Sequence, residues 1–594
     1  MILLVNPPVS SFAPFQNKST YGLASLAKFL GKKFLEVAII DDADISITIK
    51  KILEFKDKVR LIGFTGMSYQ MNSAMLIAKK IKKELSDIPI VFGGPAATGL
   101  YDKLVRENYI DYVIRGEGEL ALSSLYRIIE INGNFGTVPS LSYFDGKIVK
   151  NNSMSQSLPA SEIPLPERAD MPGNGIIYDH ALKADAALVI FSRGCFGRCS
   201  FCMAHNIFPG KVRFVSADRA VEYIKKIQAD YNINNFIIDD DNFLYNKDFI
   251  LKFCKLVKDL NIKFRINMSG SSFSKDLILK LKEVGLVKIS VGVETIDPNV
   301  QKLIYKGVNM ESILELTDFC RKNDILVALL FMAGLPGETK ESFINNLRFI
   351  SNSKPNGGFD FQLFQPHPGT FSDIKLEDYG KILTKDLDFY FSDNIVYLPK
   401  DYKDTQELVK LIEKFLKKAV TTSDVQEISL LQKYIDKKST IIIDPSDFTG
   451  DFDNILTHWR GSERCRSGLS IIKGQNQGRL EYNFNIEKIE SKKYLLAFRG
   501  ASHPEGFPQG DEYSSDVSIK INDRLLWTGK FRSIHTIGHL FKFKFPAVFL
   551  KEGQNTITFE IPDESEYKNG ISIFAYALNL YFRKYETGIL LIPV

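Results

Sequence analysis

Short apolar runs alternate with amphipathic segments along residues 1–132, and this alternation limits the possible folds more than any other feature of the chain. Parallel strands need crossover connections, usually helices, so regular alternation predicts a doubly wound parallel sheet. The predicted strands are residues 1–6, 37–41, 61–65, 88–92 and 112–114, and the predicted helices include 21–32, 45–55, 72–85 and 119–131.

Turn-forming residues follow the predicted strands of this first region. They are Asn6-Pro7-Pro8, residues 63–68, residues 93–95 and the Gly-Glu-Gly-Glu run at 116–119. In a doubly wound sheet, ligands bind outside the carboxyl ends of the strands, where glycine lets the backbone approach them closely. Each turn taken alone is equally well explained as a tight connection, but several glycine-bearing turns on one edge favour a cofactor site.

A second series of strand and helix patterns follows a linker that contains a hairpin around Asp145-Gly146 and a proline-rich stretch. Its six strand–helix units are fewer than the eight of a closed TIM barrel. They predict a partial TIM-like (β/α)6 barrel whose open side faces a substrate or another domain. The predicted strands are residues 187–191, 235–238, 263–267, 287–291, 326–332 and 359–364.

The last third of the chain has a different pattern. Residues 373–439 are rich in Lys, Asp and Glu with helical periodicity, and regularly spaced strands without helices follow them, which predicts an antiparallel β-sandwich. Its predicted strands are residues 440–444, 480–486, 493–499, 517–521, 541–545, 555–561 and 571–581. The expected α/β multidomain organisation is a Rossmann-like domain at 1–140, a linker at 141–184, the partial barrel at 185–372, a helical connector at 373–439 and the β-sandwich at 440–594.

Composition excludes several classes of function. Lys and Arg number 76 and Asp and Glu 71, a net charge of +5, which is too small for a nucleic-acid-binding surface. The longest apolar stretch, residues 325–336, is shorter than the roughly 20 residues that span a bilayer, and the N-terminus lacks the basic region of a signal peptide. We expect a cytoplasmic protein without a membrane span.

Three of the six cysteines are clustered: Cys195, Cys199 and Cys202 lie within eight positions, whereas the preceding 194 residues contain none. This C-x-x-x-C-x-x-C spacing follows the first predicted barrel strand. Three thiolates supply one ligand fewer than a structural 4Fe–4S cluster uses, so one iron remains open to an external chelator. The alternatives are zinc, which needs a fourth ligand such as the nearby His205, and a purely structural set of thiols.

The cysteine loop resembles that of the radical S-adenosylmethionine (SAM) superfamily, in which SAM chelates the open iron. The resemblance covers residues 185–370 and implies SAM contacts at the ends of successive strands. Taken singly, Glu294 is also explained as a solvated or capping carboxylate, Lys306 as a helix-end charge and residues 239–241 as a turn. By the family pattern, the implied SAM-binding residues are Phe201 at the adenine, Asp240 in the segment that binds the methionyl amine, Asn267 and Ser269 facing that amine, Glu294 at the ribose, Lys306 at the carboxylate and Gly334 beside the adenine.

The first region, in turn, resembles the cobalamin-binding domain that often precedes such barrels. Many cobalamin proteins ligate cobalt through a histidine, but the first histidine of this chain is His180, outside the domain. Either cobalt is left without imidazole or the site has lost its cofactor. A methylthiotransferase fits less well, because its N-terminal domain supplies three more cysteines. The resemblance implies that the cobalamin-binding residues are Asn6, Pro7, Thr65, Gly66, Ser68, Gly93, Gly94, Gly116, Glu117 and Gly118.

These resemblances imply a C-methyltransferase: SAM cleavage gives a 5′-deoxyadenosyl radical, which removes hydrogen from an unactivated substrate carbon, and methylcobalamin donates the methyl group. One alternative is a radical enzyme that cyclises, rearranges or oxidises its substrate. Another is a vestigial barrel attached to a glycan-binding sandwich. The implied partners are a small-molecule, lipid or glycan-bearing substrate and an electron donor such as flavodoxin or ferredoxin.

The predicted sandwich resembles galactose-binding-like carbohydrate-binding modules, through residues 517–526 and 550–556. Trp459 and Trp527 are candidates for a sugar-stacking surface, with core packing as the alternative. His535 and His539 are expected to be ordinary strand or loop residues. Cys254 and Cys320 lie in amphipathic segments and are expected to be core residues.

Overall fold

The computed structural model divides into two compact units, Met1–Thr405 and Gln406–Val594, which are described separately. No helix among the residues described combines the length and apolarity needed to cross a membrane. The residues described are 1–8, 20–33, 35–42, 45–179, 181–208, 212–271, 273–371, 374–387, 390, 395–405, 407–408, 411, 441–443, 448–450, 455–459, 466–471, 479–486, 488–489, 491–503, 516–530, 539–560, 570–574 and 589–593.

The N-terminal part of the first unit is a seven-stranded sheet with the order β2-β1-β3-β4-β5-β6-β7. Strands β1 to β5 are parallel. The five predicted strands are all present. The elements are β1 (Ile2–Asn6), α1 (Thr20–Gly31), β2 (Val37–Asp41), α2 (Ile45–Glu54), β3 (Leu61–Phe64), α3 (Met71–Glu84), β4 (Ile90–Phe92), α4 (Gly94–Leu104), β5 (Tyr112–Ile114), α5 (Glu119–Glu130), β6 (Leu141–Phe144) and β7 (Val149–Asn151).

Strand β1 shows why this sheet is doubly wound. Its side chains alternate between the two faces of the sheet, and both faces are buried. Ile2 and Leu4 join a core with residues of α1 and α5, whereas Leu3 and Val5 join a second core with residues of α2, α3 and α4. The apolar runs of the sequence are therefore continuous because helices cover both sides of the strands.

The hairpin predicted as part of the linker is instead part of this sheet. Strand β6 pairs antiparallel with β5, and β7 pairs with β6. Leu141 is completely buried in the same core as Ile2 and Leu4, so burial of its side chain holds the hairpin against the sheet edge. The assignment of residues 141–151 to a linker was therefore wrong.

The second sheet has the order β16-β15-β14-β13-β12-β9-β8. Strands β9 and β12 to β16 are parallel, which confirms the predicted partial barrel, and β8 adds an antiparallel edge. The elements are β8 (Ile176–Asp179), β9 (Ala184–Val189), β10 (Ser192–Arg193), α6 (Ala204–Ile207), β11 (Arg213–Phe214), α7 (Ala217–Tyr231), β12 (Asn235–Ile238), α8 (Lys247–Val257), β13 (Lys263–Ser269), α9 (Lys275–Glu283), β14 (Leu286–Glu294), α10 (Pro298–Leu303), α11 (Met310–Lys322), β15 (Leu326–Ala333), α12 (Lys340–Ser353) and β16 (Phe359–Leu363).

Strand β13 shows how the barrel presents polar groups. Its alternate residues Phe264, Ile266 and Met268 are buried, and Phe264 packs edge-on against Phe253 of α8. The intervening residues are more exposed, and two of them are Asn267 and Ser269, which therefore share the opposite face of the strand. Polar residues predicted for the site thus lie on the strand face that the helices do not cover.

The prediction of a helical connector at 373–439 is wrong for the first part of that range. Residues 380–382 and 397–399 form two antiparallel strands, β17 (Gly380–Ile382) and β18 (Tyr397–Pro399). Tyr397 is buried against an apolar cluster that includes Leu335 and Phe364, and this packing outweighs the local helical periodicity. Residues 412–440 lie outside the described residues.

The second unit contains two antiparallel sheets, as predicted for this part of the chain. Buried side chains such as Ile519, Ile557 and Phe559 line the strands of one sheet. Cys465 and His535, and likewise His180, lie outside the described residues, as do the side chains of Trp459 and His539. The strands are β19 (Ile441–Ile443), β20 (Phe448–Gly450), β21 (Ile455–Trp459), β22 (Arg466–Ile471), β23 (Arg479–Ile486), β24 (Lys493–His503), β25 (Asp516–Ile521), β26 (Arg524–Lys530), β27 (His539–Pro546), β28 (Gly553–Glu560), β29 (Gly570–Phe574) and β30 (Ile589–Pro593).

Candidate functional site

The three clustered cysteines lie on the loop that follows β10. Cys195 and Cys199 are half-buried and Cys202 is exposed. A Cβ added at Gly197 would lie 3.4 Å from the Sγ of Cys195 and 3.6 Å from that of Cys199, so these two sulfurs flank the same glycine. The backbone N–H of Gly197 lies 3.4 Å from the Cys195 Sγ, and that of Ala204 lies 3.4 Å from the Cys202 Sγ.

The three thiols on this loop suit an iron–sulfur cluster, which is larger than a single metal ion. In the described parts of the chain, no three His, Cys, Asp or Glu side chains converge as the ligands of one metal ion. A zinc site would need a fourth ligand besides the three thiols. Burial raises the pKa of the Cys199 thiol, so iron must displace its proton on binding. The donor set of three thiols on one glycine-containing loop fits a 4Fe–4S cluster with an open iron.

Asp240 fixes the beginning of the cysteine loop. Its carboxylate is completely buried and accepts hydrogen bonds from the Phe191 N–H, at 3.1 and 3.2 Å, and from the Ser192 hydroxyl. Burial raises the pKa of Asp240 to about 7. The Asp240 side chain therefore holds the cysteine loop, and the predicted role of this segment in SAM binding rests on its backbone.

Glu294 and Lys306, predicted separately, lie together. The Lys306 Nζ donates to the Glu294 Oε1 at 3.1 Å, and their side chains are 9% and 13% exposed. A Cβ at Gly292 would lie 2.8 Å from that Oε1, so only glycine leaves room for the pair. Burial lowers the pKa of Lys306, but Glu294 and the cysteine thiols outweigh it and hold the pKa above its usual value. A charged amine therefore stays beside the cysteine loop.

The remaining predicted SAM residues lie at or near the ends of the neighbouring strands and on the cysteine loop. The Asn267 amide donates to Asp239 at 3.0 Å, and the Ser271 hydroxyl lies 3.3 Å from the Ser269 oxygen. Phe201 packs against the apolar cluster that contains Leu335, next to the glycine motif after β15. The predicted residues at the ends of β13 to β15 thus lie along one edge of the barrel.

Two residues that the sequence reasoning missed support Gly334, which has a φ of +80°. Its N–H donates to the Glu338 Oε1 at 2.9 Å, and the Tyr402 hydroxyl donates to the same oxygen at 2.9 Å. Burial raises the pKa of Glu338 to about 8. The glycine motif was recognisable in the sequence, but Tyr402 lies 64 residues further along the chain and no local pattern marks it.

In the N-terminal sheet, Asn6 joins the ends of neighbouring strands. Asn6 is completely buried. Its Nδ2 donates to the Asp41 carboxylate at 3.0 Å, and its Oδ1 accepts from the Gln70 Nε2 at 3.1 Å. Gln70 also donates to the Pro7 carbonyl at 2.7 Å. The Asn6 side chain thus supports the turns and is not available to a ligand in this arrangement.

The predicted cobalamin residues at the other strand ends form a close-packed backbone rim. Gly94 has a φ of +83°, and a Cβ there would lie 2.4 Å from the Thr65 Oγ1. Gly116 has a φ of +74°, and its N–H donates to the Thr98 hydroxyl at 3.0 Å, while Thr98 donates to the Gly94 carbonyl at 2.8 Å. The rim also contains Gly66, Gly93 and Gly118.

This rim lies at the position expected for a ligand. The strand order 2-1-3-4-5 reverses between β1 and β3, and doubly wound sheets bind ligands at this switch point. Glycines at the ends of β3, β4 and β5 let the backbone approach a ligand closely at this switch point, so the residues fit cobalamin.

Three contacts connect the strand-end edge of the first sheet with the barrel. Ser68 Oγ lies 2.9 Å from the Nδ1 of His367, in the loop after β16. Gly99 of α4 lies against the same loop, because a Cβ there would be 2.0 Å from the Pro368 carbonyl oxygen. Glu117, predicted to bind cobalamin, pairs with Arg193, with Nη1 and Oε1 2.7 Å apart. The edges of the two sheets are therefore in direct contact within one unit.

Comparison with known proteins agrees with this geometry. Residues 189–350 match the family model of the radical SAM superfamily, and residues 16–126 match that of the B12 binding domain. An uncharacterized methyltransferase of Pyrococcus horikoshii, PH0819, is 27% identical over 381 residues, which cover 62% of this chain and 81% of that protein.

Two further similarities bear on the reaction and the fold. The anaerobic magnesium-protoporphyrin IX monomethyl ester cyclase of Cereibacter sphaeroides is 26% identical over 49% of this chain and 50% of its own length. The solved structure of OxsB, a cobalamin-dependent SAM radical enzyme with aqua-cobalamin and SAM bound, has a TM-score of 0.56 and 18% identity, over 73% of this chain and 70% of that chain. The chain shares the fold of that structure.

Proposed function

Because this chain is a radical SAM enzyme that carries a B12-binding domain ahead of its barrel, with SAM, a 4Fe–4S cluster and cobalamin as cofactors, we propose that it methylates an unactivated carbon. The contact between the two cofactor-bearing edges carries this proposal. Ser68 contacts His367 and Glu117 contacts Arg193, and these contacts support two sites that face the same substrate. A methyl group held on one cofactor can reach a carbon activated by the other only if both face one substrate.

The residues of this chain have distinct proposed roles in that arrangement. Cys195, Cys199 and Cys202 hold the cluster, and the strand-end residues of the barrel bind SAM. Lys306 offers a buried cation to the SAM carboxylate, and Glu294 offers acceptors to the ribose hydroxyls. When bound, the cluster and SAM supply radical chemistry and cobalamin supplies the methyl group.

For cobalamin, we propose that the glycine rim of β3, β4 and β5 receives the corrin edge. Thr65 and Ser68 add hydroxyl groups to this rim. Residues 1–140 contain no histidine, so cobalt takes no imidazole ligand from this domain.

A second candidate is a radical enzyme that cyclises its substrate, and the similarity to the magnesium-protoporphyrin ester cyclase favours it. The two reactions consume SAM differently. Methylation uses one SAM for the radical and a second to restore the methyl group, whereas cyclisation uses SAM only for the radical.

The test is anaerobic reconstitution followed by incubation with dithionite, methyl-deuterated SAM and a metabolite extract. A methyltransferase gives S-adenosylhomocysteine and 5′-deoxyadenosine in comparable amounts, with a product that carries CD3. 5′-Deoxyadenosine without S-adenosylhomocysteine or a labelled product contradicts methylation and supports cyclisation.

Two variants control this test. Cys199→Ala is expected to remove SAM cleavage, because the cluster loses a ligand, whereas Cys254→Ala in α8 keeps it. SAM cleavage that persists in Cys199→Ala would refute the cluster assignment.

The remaining partners follow from this chemistry. We propose that a flavodoxin or ferredoxin reduces the cluster in the cytoplasm, and that the substrate is a small molecule or a lipid- or glycan-bearing compound.

A further inference from the structure

We propose that Arg193 is a positioning residue that sets the cysteine loop in register with the B12-binding domain. It acts through a buried ion network, defined as Arg193, Arg213, Glu117 and Glu119. This inference concerns cofactor placement and holds whether the enzyme methylates or cyclises its substrate.

The four side chains of the ion network form an alternating chain of charges. Arg193 contacts Glu117 at 2.7 Å through Nη1 and Glu119 at 2.5 Å through Nη2. Arg213 contacts the second oxygen of Glu117 at 3.0 Å and donates to the Leu158 carbonyl at 2.6 Å. Two positive and two negative groups balance, and both oxygens of Glu117 are used.

Burial makes this network a strong geometric constraint. The side chains of Arg193, Arg213, Glu117 and Glu119 are 13%, 12%, 6% and 6% exposed. Water cannot replace a lost partner at such positions, so a displaced loop leaves an uncompensated buried charge. The planar guanidinium also fixes the angle between its two carboxylates, which a lysine at the same position does not.

The two ends of the network lie at the two cofactor sites. Glu117 lies in the turn between β5 and α5, and Glu119 is the first residue of α5. Gly116 of that turn donates to the Thr98 hydroxyl of α4, next to the cobalamin rim. Arg193 ends β10, two residues before Cys195, and pairs with Arg213 on β11. Glu117 and Arg193 are 76 positions apart along the sequence, so the intervening chain fixes the distance between them poorly. The ion pair fixes that distance directly.

The structure offers a matched comparison in Arg219. This arginine of α7 also joins distant segments, because it donates to the carbonyls of Ser161 at 2.8 Å and Ile163 at 2.7 Å. Among the residues that the structure describes, it contacts no carboxylate of the B12-binding domain. Its loss should affect stability without changing the relation between the two cofactors.

The experiment measures cofactor placement without substrate. Cobalt in cob(II)alamin and the reduced cluster are both paramagnetic, so pulsed electron paramagnetic resonance gives the distribution of distances between them. The proteins are the full chain and its Arg193→Met, Glu117→Gln and Arg219→Met variants, each reconstituted with cluster and cob(II)alamin, with iron and cobalt measured beforehand.

We expect a narrow distribution of distances between cobalt and the cluster for the parent enzyme and Arg219→Met. For Arg193→Met and Glu117→Gln we expect a distribution at least twice as wide. A narrow distribution in Arg193→Met with both cofactors bound would overturn the proposal.

Arg193→Lys keeps the proposal testable if Arg193→Met does not fold. Lysine retains the charge but not the bidentate contact, so we expect partial widening with both cofactors bound. A distribution in Arg193→Lys equal to that of the parent enzyme would equally reject a positioning role.

Discussion

At the scale of single residues, several predicted ligand groups support the loops that carry the site. Asp240 holds the start of the cysteine loop, Asn6 joins the turns of the first sheet, and Glu117 pairs with the barrel. Each is a polar residue next to a glycine-containing or cysteine-containing turn, which is why the sequence pattern included it. The pattern identifies the turn, but burial decides whether a side chain faces the ligand or the protein.

The Lys306–Glu294 pair yields a prediction at this scale. Lys306→Met removes the cation beside the cysteine loop and leaves the Glu294 carboxylate buried without its partner. We expect the KM for SAM to rise at least tenfold and the free energy of unfolding to fall by about 3 kcal/mol. SAM cleavage kinetics and denaturant unfolding measure the two effects.

Lys302→Met is the matched control, because Lys302 is an exposed lysine in α10, a few residues away. Both quantities should stay close to those of the parent enzyme. A KM for SAM within threefold of the parent value in Lys306→Met would show that Lys306 does not bind SAM.

At the scale of secondary-structure elements, glycine decides how closely the turns pack. Helix α4 begins at Gly94, where a positive φ and the close Thr65 hydroxyl exclude any other residue. The sequence marked residues 93–95 as a turn but did not reveal the helix that follows, because Gly-Gly-Pro is a turn signal as well as a helix start.

Gly94→Ala should therefore disturb the cobalamin rim. The added Cβ would lie 2.4 Å from the Thr65 Oγ1 in a left-handed backbone, so we expect a loss of about 2 kcal/mol of unfolding free energy and at least tenfold weaker cobalamin binding. Thermal unfolding and cobalamin titration followed by absorbance measure these changes.

Gly22→Ala is the control for this substitution. Gly22 lies in α1, with nothing within 4 Å of an added Cβ, so alanine should raise stability by about 0.5 kcal/mol. Cobalamin binding by Gly94→Ala equal to that of Gly22→Ala would refute the role of the rim.

At the scale of the whole first unit, contacts between the two sheets bring the cofactor-bearing edges together. His367 of the barrel reaches Ser68 across 299 positions of the sequence. Burial lowers the pKa of His367 to about 4, so the folded protein keeps the imidazole neutral. The stability of the folded protein therefore depends on pH through this histidine.

The direction in which stability changes with pH follows from the protons that His367 binds in the unfolded and the folded protein. Between pH 6.5 and 4 the unfolded histidine is protonated and the folded one is not, so stability falls as the pH falls through this window. Between pH 7.5 and 5.5, the parent enzyme should lose about 1 kcal/mol more unfolding free energy than His367→Gln, whose side chain does not titrate. Equal losses in denaturant unfolding at the two pH values would contradict a buried neutral histidine.

The sequence by itself determined the alternation of strands and helices, the partial barrel and the cysteine loop, because these patterns depend on residues that are neighbours along the chain. Only the tertiary structure decided that the hairpin at β6 and β7 joins the first sheet, that residues 380–399 include strands, and that Arg193 and His367 contact turns at the strand ends of the first sheet. These features depend on burial and on charge partners that are brought together from distant positions. The free energy contributed by this burial and charge pairing exceeds the local helix and strand preferences that a sequence pattern records.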